Sequence, residues 1–444
     1  MSPSKCYYLD GTNGSDTNPG TYAAPWKSFA NVFSYYNTSQ RPAGWKALAP
    51  GDFVYLTGEL SQKIVHNPAC TSQCVVAISY FSAVNGAAGK PITLKSYPGQ
   101  RASIGPSAGK MGGEGINLFN SKFWNISGIE FQNVTGVGLG IETDQDVVIS
   151  DLLVHNNASG VQSGNPAGIK IRVSKNVEVY GSTFYENVEN PVVLQMRGNG
   201  IQLFANTGFI KIHDNTFYQL ARHPIYTAVG GTPTGATRFG NCLMYKHASP
   251  DPASTYEVWN NTFDQCDLIG SSTYNTHFHH NVVTRSSHGF RSKDFAGPTH
   301  QVNNLIEFNT FYNGTTGVHF DPSIQLAGEP NNIVAQKNII YQSGVQVVQL
   351  NQYMSDVEYN AILPEFNPDH NCYFVKSGAA PTFAFGWANG GAYGTLGKIF
   401  SLAEWQAMGK DVNSKINQDP LFVNAVIGDF RLQSGSPCAG MGAK

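Results

Sequence analysis

Short stretches of alternating apolar and polar residues recur along most of this chain. Between Trp124 and Val348, six segments close on an apolar side chain in the same way, as in Asn215-Thr216-Phe217 and Asn309-Thr310-Phe311. Successive copies lie 20 to 46 residues apart. Alternation with a period of two is typical of half-buried β-strands, and a repeat of this length indicates stacked strand units.

The repeats predict an all-β fold, a right-handed parallel β-helix (a solenoid). Each unit is too small to bury its own apolar face, so the units must stack. The Asn before the apolar residue in most copies suits a turn with an inward amide, and stacked amides would form an Asn ladder. Many copies are followed by a strand that Gly opens, such as Gly168-Ile169-Lys170. A β-propeller would need four strands in about 40–45 residues, which this spacing does not fit.

The two ends of the chain differ from the repeats. We expect an amphipathic helix from Ala24 to about Tyr36 to cap the open end of the β-helix, with an apolar face of Phe29, Val32 and Phe33. Near the other end, the capping box Ser401-Leu-Ala-Glu404 predicts a short helix to about Met408. These elements predict a single domain over 1–444, with a cap region at 6–60, coils at 90–350, and C-terminal coils and a closing segment at 351–444.

The composition of the chain mainly argues against certain classes of function. The 444 residues carry a net charge of −2, so electrostatics gives no case for binding nucleic acid or an anionic membrane surface. No apolar run approaches the roughly 18 residues of a membrane span. A capped solenoid has no need of a partner subunit, so we expect a monomer.

Seven cysteines bear on the compartment. Cys70 and Cys74 fit a small disulfide loop or a metal pair with His66, whereas Cys242 could bridge to Cys266, Cys372 could bridge to Cys438, and Cys6 is the candidate free thiol. The start Met1-Ser2-Pro3-Ser4 has no charged-then-apolar signal region, so we expect a trimmed mature chain. Together with the low charge, the cysteines favour a secreted, extracellular protein.

Segments at both ends resemble those of a known enzyme group. Near the N-terminus these are Tyr8-Leu9-Asp10-Gly11, Pro25-Trp26-Lys27-Ser28-Phe29, Pro50-Gly51-Asp52 and Lys90-Pro91-Ile92-Thr93. Near the C-terminus they are Ser401-Leu402-Ala403-Glu404-Trp405-Gln406, Asp419-Pro420-Leu421-Phe422 and Gly428-Asp429-Phe430-Arg431-Leu432. They resemble secreted pectate-lyase-like polysaccharide lyases and their β-helix glycosidase relatives. The resemblance implies the fold and a polysaccharide or oligosaccharide substrate, but lyases and hydrolases share it.

The chemistry is expected on an outer face of the coils, where one strand position forms a row. Counting from the Gly that opens each strand gives a row of Glu142, Lys170, Gln202, Arg291 and His319. Two residues further lies a second row of Asp144, Arg172, Phe204, Lys293 and Asp321. If the strands are in register, the rows form one polar stripe. A slip of one residue would turn every side chain to the other face.

The densest polar cluster predicts an elimination chemistry. It comprises Arg285, His288, Arg291, Lys293 and Asp294, followed one coil later by His319 and Asp321. Eliminating a uronic acid needs a clamp for the carboxylate, a base for the C5 proton and an acid for the leaving oxygen. Arg291 is the expected clamp because its guanidinium fits a carboxylate bidentately. Lys293 is the expected base because neighbouring cations lower a lysine pKa, and His319 or Lys246 is the expected acid.

An insertion near 230–254 is expected to build one wall of the groove. The residues expected to bind substrate there and along the stripe are Arg172, Lys170, Tyr245, His247 and His288.

The segment Arg291-Ser-Lys293, with a cationic residue one coil later, resembles the Lys base and next-coil Arg of chondroitinase-B and alginate-lyase-like enzymes. His319 stands where that family has Arg, and the Glu pair that holds calcium before the Lys is missing. Calcium therefore stays open as a cofactor, with oxygen ligands available from Asp264, Asp267, Asp294 and Asp321.

Three functions remain open on the sequence. The convergence of Arg and Lys on one strand favours a lyase over a surface that is merely solvated. A glycoside hydrolase would instead use a carboxylate pair such as Asp294 with Asp321, or Asp264 with Asp267, held about 5–9.5 Å apart. A non-catalytic glycan-binding module would show exposed aromatic residues and neither constellation.

Overall fold

Most of the chain is wound into coils, and each complete coil contains three short strands that pair in parallel with the strands of the next coil. The computed structural model describes residues 4–67, 69, 76–158, 166–188, 198–226, 231–246, 253–267, 269–270, 273–286, 289–293, 303–314, 318–321, 332–342, 348–349, 363–381, 383–385, 388–389, 392–393 and 398–443. They form two compact units, 1–211 with 220–241 and 212–219 with 242–444. The division falls within the strands Thr207–His213 and Asn241–Lys246. The prediction of one domain over 1–444 stays a prediction.

The first unit is a parallel β-helix of three sheets, here named A, B and C. In hydrogen-bonding order, sheet A contains Cys6–Asp10, Phe53–Thr57, Ile92–Ser96, Lys122–Ser127, Gln145–Ser150 and Lys175–Tyr180. Sheet B contains Glu59–Leu60, Ser103–Ile104, Glu130–Gln132, Leu153–His155 and Thr183–Tyr185. Sheet C contains Ile64–Val65, Val76–Ser82, Glu114–Phe119, Leu139–Glu142, Ala167–Arg172 and Asn199–Phe204. Ile64–Val65 pairs antiparallel, and His223–Tyr226 with Pro233–Arg238 forms a separate antiparallel hairpin.

The second unit repeats the plan with sheets D, E and F. Sheet D contains Thr255–Trp259, Thr276–His279, Asn304–Glu307, Ile333–Gln336 and Phe366–Asp369. Sheet E contains Thr216–Tyr218, Thr262–Asp264, Val282–Thr284, Thr310–Gly314, Ile339–Gln342, Cys372–Val375 and Lys415–Ile416. Sheet F contains Arg291–Lys293, Val318–Asp321 and Val348–Gln349. Antiparallel pairs near the C-terminus are Phe383–Phe385 with Lys398–Phe400, Ala388–Asn389 with Ala392–Tyr393, and Phe422–Asn424 with Asp429–Leu432.

An Asn ladder runs along sheet E, as the repeats predict. Each amide donates to the amide oxygen of the next coil at 3.0–3.1 Å, in the order Asn215, Asn261, Asn281, Asn309, Asn338 and Asn371. Asn371 ends the ladder on the buried carboxylate of Asp411, at 3.1 Å. The ladder satisfies turn amides that the apolar core would otherwise leave without partners.

A glycine column explains how closely the coils approach along sheet C. Gly115, Gly138, Gly168 and Gly200 occupy equivalent positions in successive strands. A Cβ on Gly138 would lie 2.7 Å from the Gly168 carbonyl oxygen, and one on Gly168 would lie 2.9 Å from the Gly200 carbonyl oxygen. Because real Cβ atoms do not approach backbone this closely, only glycine fits at these positions.

The predicted N-terminal capping helix is wrong. The segment forms one 3₁₀ turn, Phe29–Asn31, and a second 3₁₀ turn, Thr38–Gln40, follows it. Backbone groups that an α-helix would pair internally are bonded elsewhere, because Ser34 N–H donates to the Tyr80 carbonyl at 2.9 Å and the Asn31 carbonyl accepts from Lys46 N–H at 2.7 Å. The apolar residues Phe29, Val32 and Phe33 are nevertheless buried.

The predicted C-terminal helix is confirmed as Leu402–Ala407. Ser401 Oγ accepts from Glu404 N–H at 3.3 Å, and the Glu404 carboxylate accepts from Ser401 N–H at 2.9 Å. The remaining 3₁₀ turns of the described residues are Leu363–Glu365 and Ala425–Ile427.

Both long-range cysteine pairs are bridged, Cys242 to Cys266 and Cys372 to Cys438. Cys6 is a free thiol, as expected. Cys70 and Cys74 lie outside the described residues.

Candidate functional site

The strands of sheet F carry the residues to which the sequence assigns catalysis. Arg291 pairs with His319, and Lys293 pairs with Asp321, in parallel register. His319 pairs in turn with Gln349. Neighbouring strands lie about 4.8 Å apart and residues two apart share a strand face, so the four polar positions share one face. The register that the sequence predicts for these two strands is thus confirmed.

The start of the first sheet F strand is anchored by packing. Phe290 is fully buried, with its ring centroid 4.8 Å from that of Phe278 on sheet D. For Arg291, Lys293, His319, Asp321 and Lys246, the structure describes the backbone alone. Asp294, His247 and His288 lie outside the described residues.

Sheet C of the first unit displays a second polar face, with side chains in place. Lys170 pairs with Gly140 and Gln202, and Arg172 pairs with Glu142 and Phe204. The sequence-based rows placed Glu142 beside Lys170, which is wrong by two residues. The error arises because Gly138 and Gly140 both precede this strand face, and Gly138 is the one equivalent to Gly168. A shift of two keeps the side chains on the same face.

The two glutamates of this face have different surroundings. Glu142 forms a salt bridge with Arg172, whose guanidinium lies 5.7 Å from the Phe204 ring centroid. Glu114 accepts a hydrogen bond from the Asn117 amide at 2.7 Å. Burial raises the pKa of Glu114, the charge of Glu142 raises it further, and Lys170 counteracts this. One carboxyl is thus biased towards its protonated form, and the other is paired with a cation.

Asp144, the member of the second row, does not lie on this face. It is 1% exposed, and its carboxylate accepts from the backbone N–H groups of Ser121 at 2.6 Å and Glu142 at 2.8 Å. Burial raises its pKa to about 8. Asp144 therefore holds the turn between sheets C and A, and its place in the polar stripe is a correction to the sequence-based row.

Tyr245 is not at the surface. It is fully buried, its ring lies 5.5 Å from that of Tyr256, and burial raises the pKa of its phenol. Its contacts are those of a core residue, so it is not available to a sugar at the protein surface.

Two of the carboxylates considered as calcium ligands are already hydrogen-bonded or buried. Asp264 accepts from the Thr284 hydroxyl at 2.7 Å and from Arg285 Nε at 2.8 Å, and Asp267 is 5% exposed. Within the described ranges, no three His, Cys, Asp or Glu residues are grouped so that they could hold a metal ion. Asp294 falls outside those ranges, so calcium stays an untested prediction.

Sequence reasoning missed Glu114 and Asn117 as part of the sheet C face. The strand Glu114–Phe119 belongs to the same sheet as the Gly-led strands, but its glycine, Gly115, comes after Glu114 and not before it. Counting one coil back from Gly138 would have located Asn117 through Gly115, whereas Glu114 is linked to this face by its hydrogen bond with Asn117.

Comparisons with known proteins agree with the fold. Residues 107–249 match the family model described as a right-handed β-helix region, which confirms the predicted handedness for that segment. No curated protein matches the chain in sequence. Among the residues that the structure describes, no helix is long and apolar enough to cross a membrane.

Solved structures with a similar fold are carbohydrate-active enzymes. A mannuronic acid specific family 6 polysaccharide lyase from human gut microbiota is 16% identical, with a TM-score of 0.49, over 83% of this chain and 74% of that one. Pectate lyase Pel9A is 15% identical, with a TM-score of 0.44, over 79% and 78%. The GH136 lacto-N-biosidase from Eubacterium ramulus is 13% identical, with a TM-score of 0.39, over 84% and 68%. The right-handed β-helix that the sequence resemblance implies is confirmed by the family model for 107–249, and at these identities the likeness to the solved structures concerns the fold alone.

Proposed function

We propose that this protein is a secreted polysaccharide lyase that cleaves a uronate-containing polysaccharide by β-elimination on sheet F. The observation that carries the proposal is the register of its strands, which sets Arg291 opposite His319 and Lys293 opposite Asp321. Two cationic positions and a histidine thus share one strand face. The two disulfides support an oxidising, extracellular location.

Each position has a role in the reaction. Arg291 neutralises the uronate carboxylate, which makes the C5 proton more acidic. Lys293 takes the C5 proton, and the electron pair left on C5 forms the C4–C5 double bond as the bond from C4 to the glycosidic oxygen breaks. His319 or Lys246 donates a proton to that leaving oxygen. The products are one fragment whose new non-reducing end carries the double bond and one fragment that ends in a new reducing end, because the protonated glycosidic oxygen stays on its C1.

The proposed base has a defined pH dependence. Only the neutral amine of Lys293 can accept the C5 proton. The rate should therefore rise with pH as Lys293 loses its proton.

The test is ultraviolet absorbance of the double bond while the protein is mixed with polygalacturonate, alginate or chondroitin sulfate, each with added calcium or with chelator. We expect Lys293→Ala to lower the rate by about 10²–10⁴-fold, the range for loss of a general base. Lys415→Ala, at an exposed position on sheet E, is the matched control and should keep full activity. Activity that survives in Lys293→Ala would contradict the assignment, and loss with chelator would add a metal to the site.

A glycoside hydrolase is the second candidate, and the two glutamates of sheet C favour it. A glycosidase uses one carboxyl group as general acid and a second as nucleophile or base. Glu114, whose pKa burial raises, would be the acid, and Glu142, which forms a salt bridge with Arg172, would be the nucleophile or base.

New reducing ends without the ultraviolet signal would identify hydrolysis. In that case Glu114→Gln should abolish activity, and Glu257→Gln on sheet D should retain it. Absence of both signals on every polymer would leave the third hypothesis, a glycan-binding module.

A further inference from the structure

Four tyrosines form a cleft at the start of the first unit, and the lining of this cleft includes no residue of sheet C. Tyr8 and Tyr55 are partners in adjacent strands of sheet A, Tyr97 follows the next strand, and Tyr22 lies in a turn beside them. We name this group the tyrosine cleft. Its cavity is about 580 Å³, within the range of about 300–1,000 Å³ that is typical of small-molecule sites.

The rings are held in a fixed arrangement. Tyr8 stacks on Tyr55 with centroids 5.2 Å apart, and Tyr22 stacks on Tyr97 at 5.2 Å. Tyr8 meets Tyr22 edge-on at 5.7 Å, which joins the two pairs. A hydrogen bond between the Tyr22 and Tyr97 phenols is the main cause that raises the pKa of Tyr97. The backbone N–H of Tyr97 donates to the Leu56 carbonyl at 2.8 Å, which fixes the backbone of Tyr97 against sheet A.

The tyrosine cluster lies at the protein surface and is not part of the buried core. Tyr22 is 65% exposed, although it takes part in two ring contacts. The packing of the first unit is already complete beneath the cleft, where Trp26 is fully buried and stacks on Tyr7 at 5.2 Å. Tyr8, Tyr55 and Tyr97 are partly exposed beside Tyr22, and a contiguous exposed aromatic patch is a mark of an interaction surface.

The rim of the cleft is polar and almost uncharged. Among its described lining residues, Asp10 is the single ionisable group besides the tyrosines, and no Lys or Arg takes part. Asp10 Oδ1 accepts from the backbone N–H groups of Thr12 and Asn13, each at 2.9 Å, which fixes the turn. Thr57, the register partner of Asp10 in the adjacent strand, is hydrogen-bonded to Gln100.

We propose that the tyrosine cleft binds a neutral oligosaccharide segment as an accessory site. A pyranose ring has an apolar C–H face that packs on an aromatic ring and a rim of hydroxyls that hydrogen-bond to Asp10, Asn13 and Gln100. A polyuronate would bring negative charge to a lining that includes Asp10 and no cation. Lys95, whose ammonium lies 5.8 Å from the Tyr55 ring centroid, is outside this lining, so the cleft favours a neutral glycan over the anionic substrate proposed for sheet F. The accessory site would anchor the protein on neutral glycan near its substrate.

The test is affinity electrophoresis of the full chain in gels that contain xylan, glucomannan or mixed-linkage β-glucan, with polygalacturonate and alginate as anionic gels. Isothermal titration with the matching hexasaccharide then gives Kd. We expect at least one neutral glycan to retard the protein. Tyr97→Ala and Tyr22→Ala should each weaken binding about tenfold, the equivalent of one aromatic contact.

Tyr36→Ala is the matched control, because Tyr36 is 66% exposed against 65% for Tyr22 and lies outside the cleft lining. It should bind as tightly as the parent protein, and circular dichroism should give the same spectrum for all variants. Equal binding by the Tyr22, Tyr97 and Tyr36 variants would overturn the proposal, as would retardation by anionic glycans alone.

Lys293→Ala separates this proposal from the proposed lyase activity. If the accessory site is real, this variant keeps its affinity for the neutral glycan whether or not the parent protein is a lyase. Neutral-glycan binding that disappears in Lys293→Ala and persists in Tyr97→Ala would place the binding elsewhere and refute the assignment.

Discussion

Replacing Asn309 with Ala tests how much one rung of the Asn ladder stabilises the second unit. Its side-chain nitrogen donates to Asn338 Oδ1 at 3.0 Å, to the Phe278 carbonyl at 2.8 Å and to the Glu307 carbonyl at 3.0 Å. Its side-chain oxygen accepts from the backbone N–H of Asn281 at 2.9 Å and from the Asn281 amide at 3.1 Å. The residue is fully buried, so water cannot replace these partners without entering the coil.

The magnitude follows from which groups keep a partner. The Asn281 amide still donates to the Val258 carbonyl at 2.8 Å, and Asn338 Oδ1 still accepts from the backbone N–H of Asn309 at 3.0 Å. The backbone N–H of Asn281 loses its acceptor. A buried donor without a partner costs about 1–3 kcal/mol, and two carbonyls each lose one donor. We therefore expect Asn309→Ala to lower the free energy of unfolding by about 2–4 kcal/mol.

Urea unfolding followed by circular dichroism measures this loss through the midpoint, provided the slope is unchanged. Asn367→Ala is the control, because Asn367 is exposed on sheet D and its side chain donates to the Glu365 carbonyl at 3.2 Å, two residues away in sequence. It should change the free energy of unfolding by less than about 0.5 kcal/mol. If Asn309→Ala shifts the midpoint no more than Asn367→Ala, the ladder is not a stabilising network and the reasoning fails.

Two further predictions concern packing and pH. Gly168→Ala would set a Cβ 2.7 Å from a Val154 methyl and 2.9 Å from the Gly200 carbonyl oxygen, so we expect the free energy of unfolding to fall by about 1–3 kcal/mol. Gly112→Ala is the control and should be nearly neutral, because the nearest atom to its Cβ would be 4.0 Å away. Equal urea midpoints for the two variants would contradict the role of the glycine column. Burial, followed by the nearby His277 and His280, lowers the pKa of His279 from its ordinary value of 6.5 to about 4, and Glu307 opposes the shift. The unfolded chain therefore binds more protons than the folded chain between about pH 4 and 6.5, so this histidine's contribution to stability is present above that window and is lost as pH falls through it. His279→Gln should flatten that part of a plot of melting temperature against pH, and an unchanged slope would contradict the assignment.

Much of the fold can be predicted from local sequence patterns. Alternation with a period of two and the Asn that recurs before an apolar residue are properties of single coils, and both appear as predicted, in the strands and in the ladder from Asn215 to Asn371. The capping box at Ser401 is equally local, since its two hydrogen bonds span three residues. A local pattern of this kind needs no knowledge of the neighbouring coil.

The N-terminal segment shows where a local pattern misleads. The apolar spacing of Phe29, Val32 and Phe33 predicts burial correctly, but it does not decide which backbone partners the segment finds. Those partners, Tyr80 and Lys46, come from other parts of the chain, and they replace the helix by a 3₁₀ turn.

The sites depended on register, which sequence determines only up to the turns between strands. For sheet F the count from the opening glycine gave the correct partners of Arg291 and Lys293, whereas the two glycines before Glu142 gave an offset of two on sheet C. The tyrosine cleft gathers rings from separate coils and a turn, and no spacing in the chain marks it. Sequence alone determined the period, the strands and the buried faces, because each coil repeats the same local packing problem. Tertiary structure decided which side chains meet, because turn lengths vary from coil to coil and set where each strand comes to lie against the next.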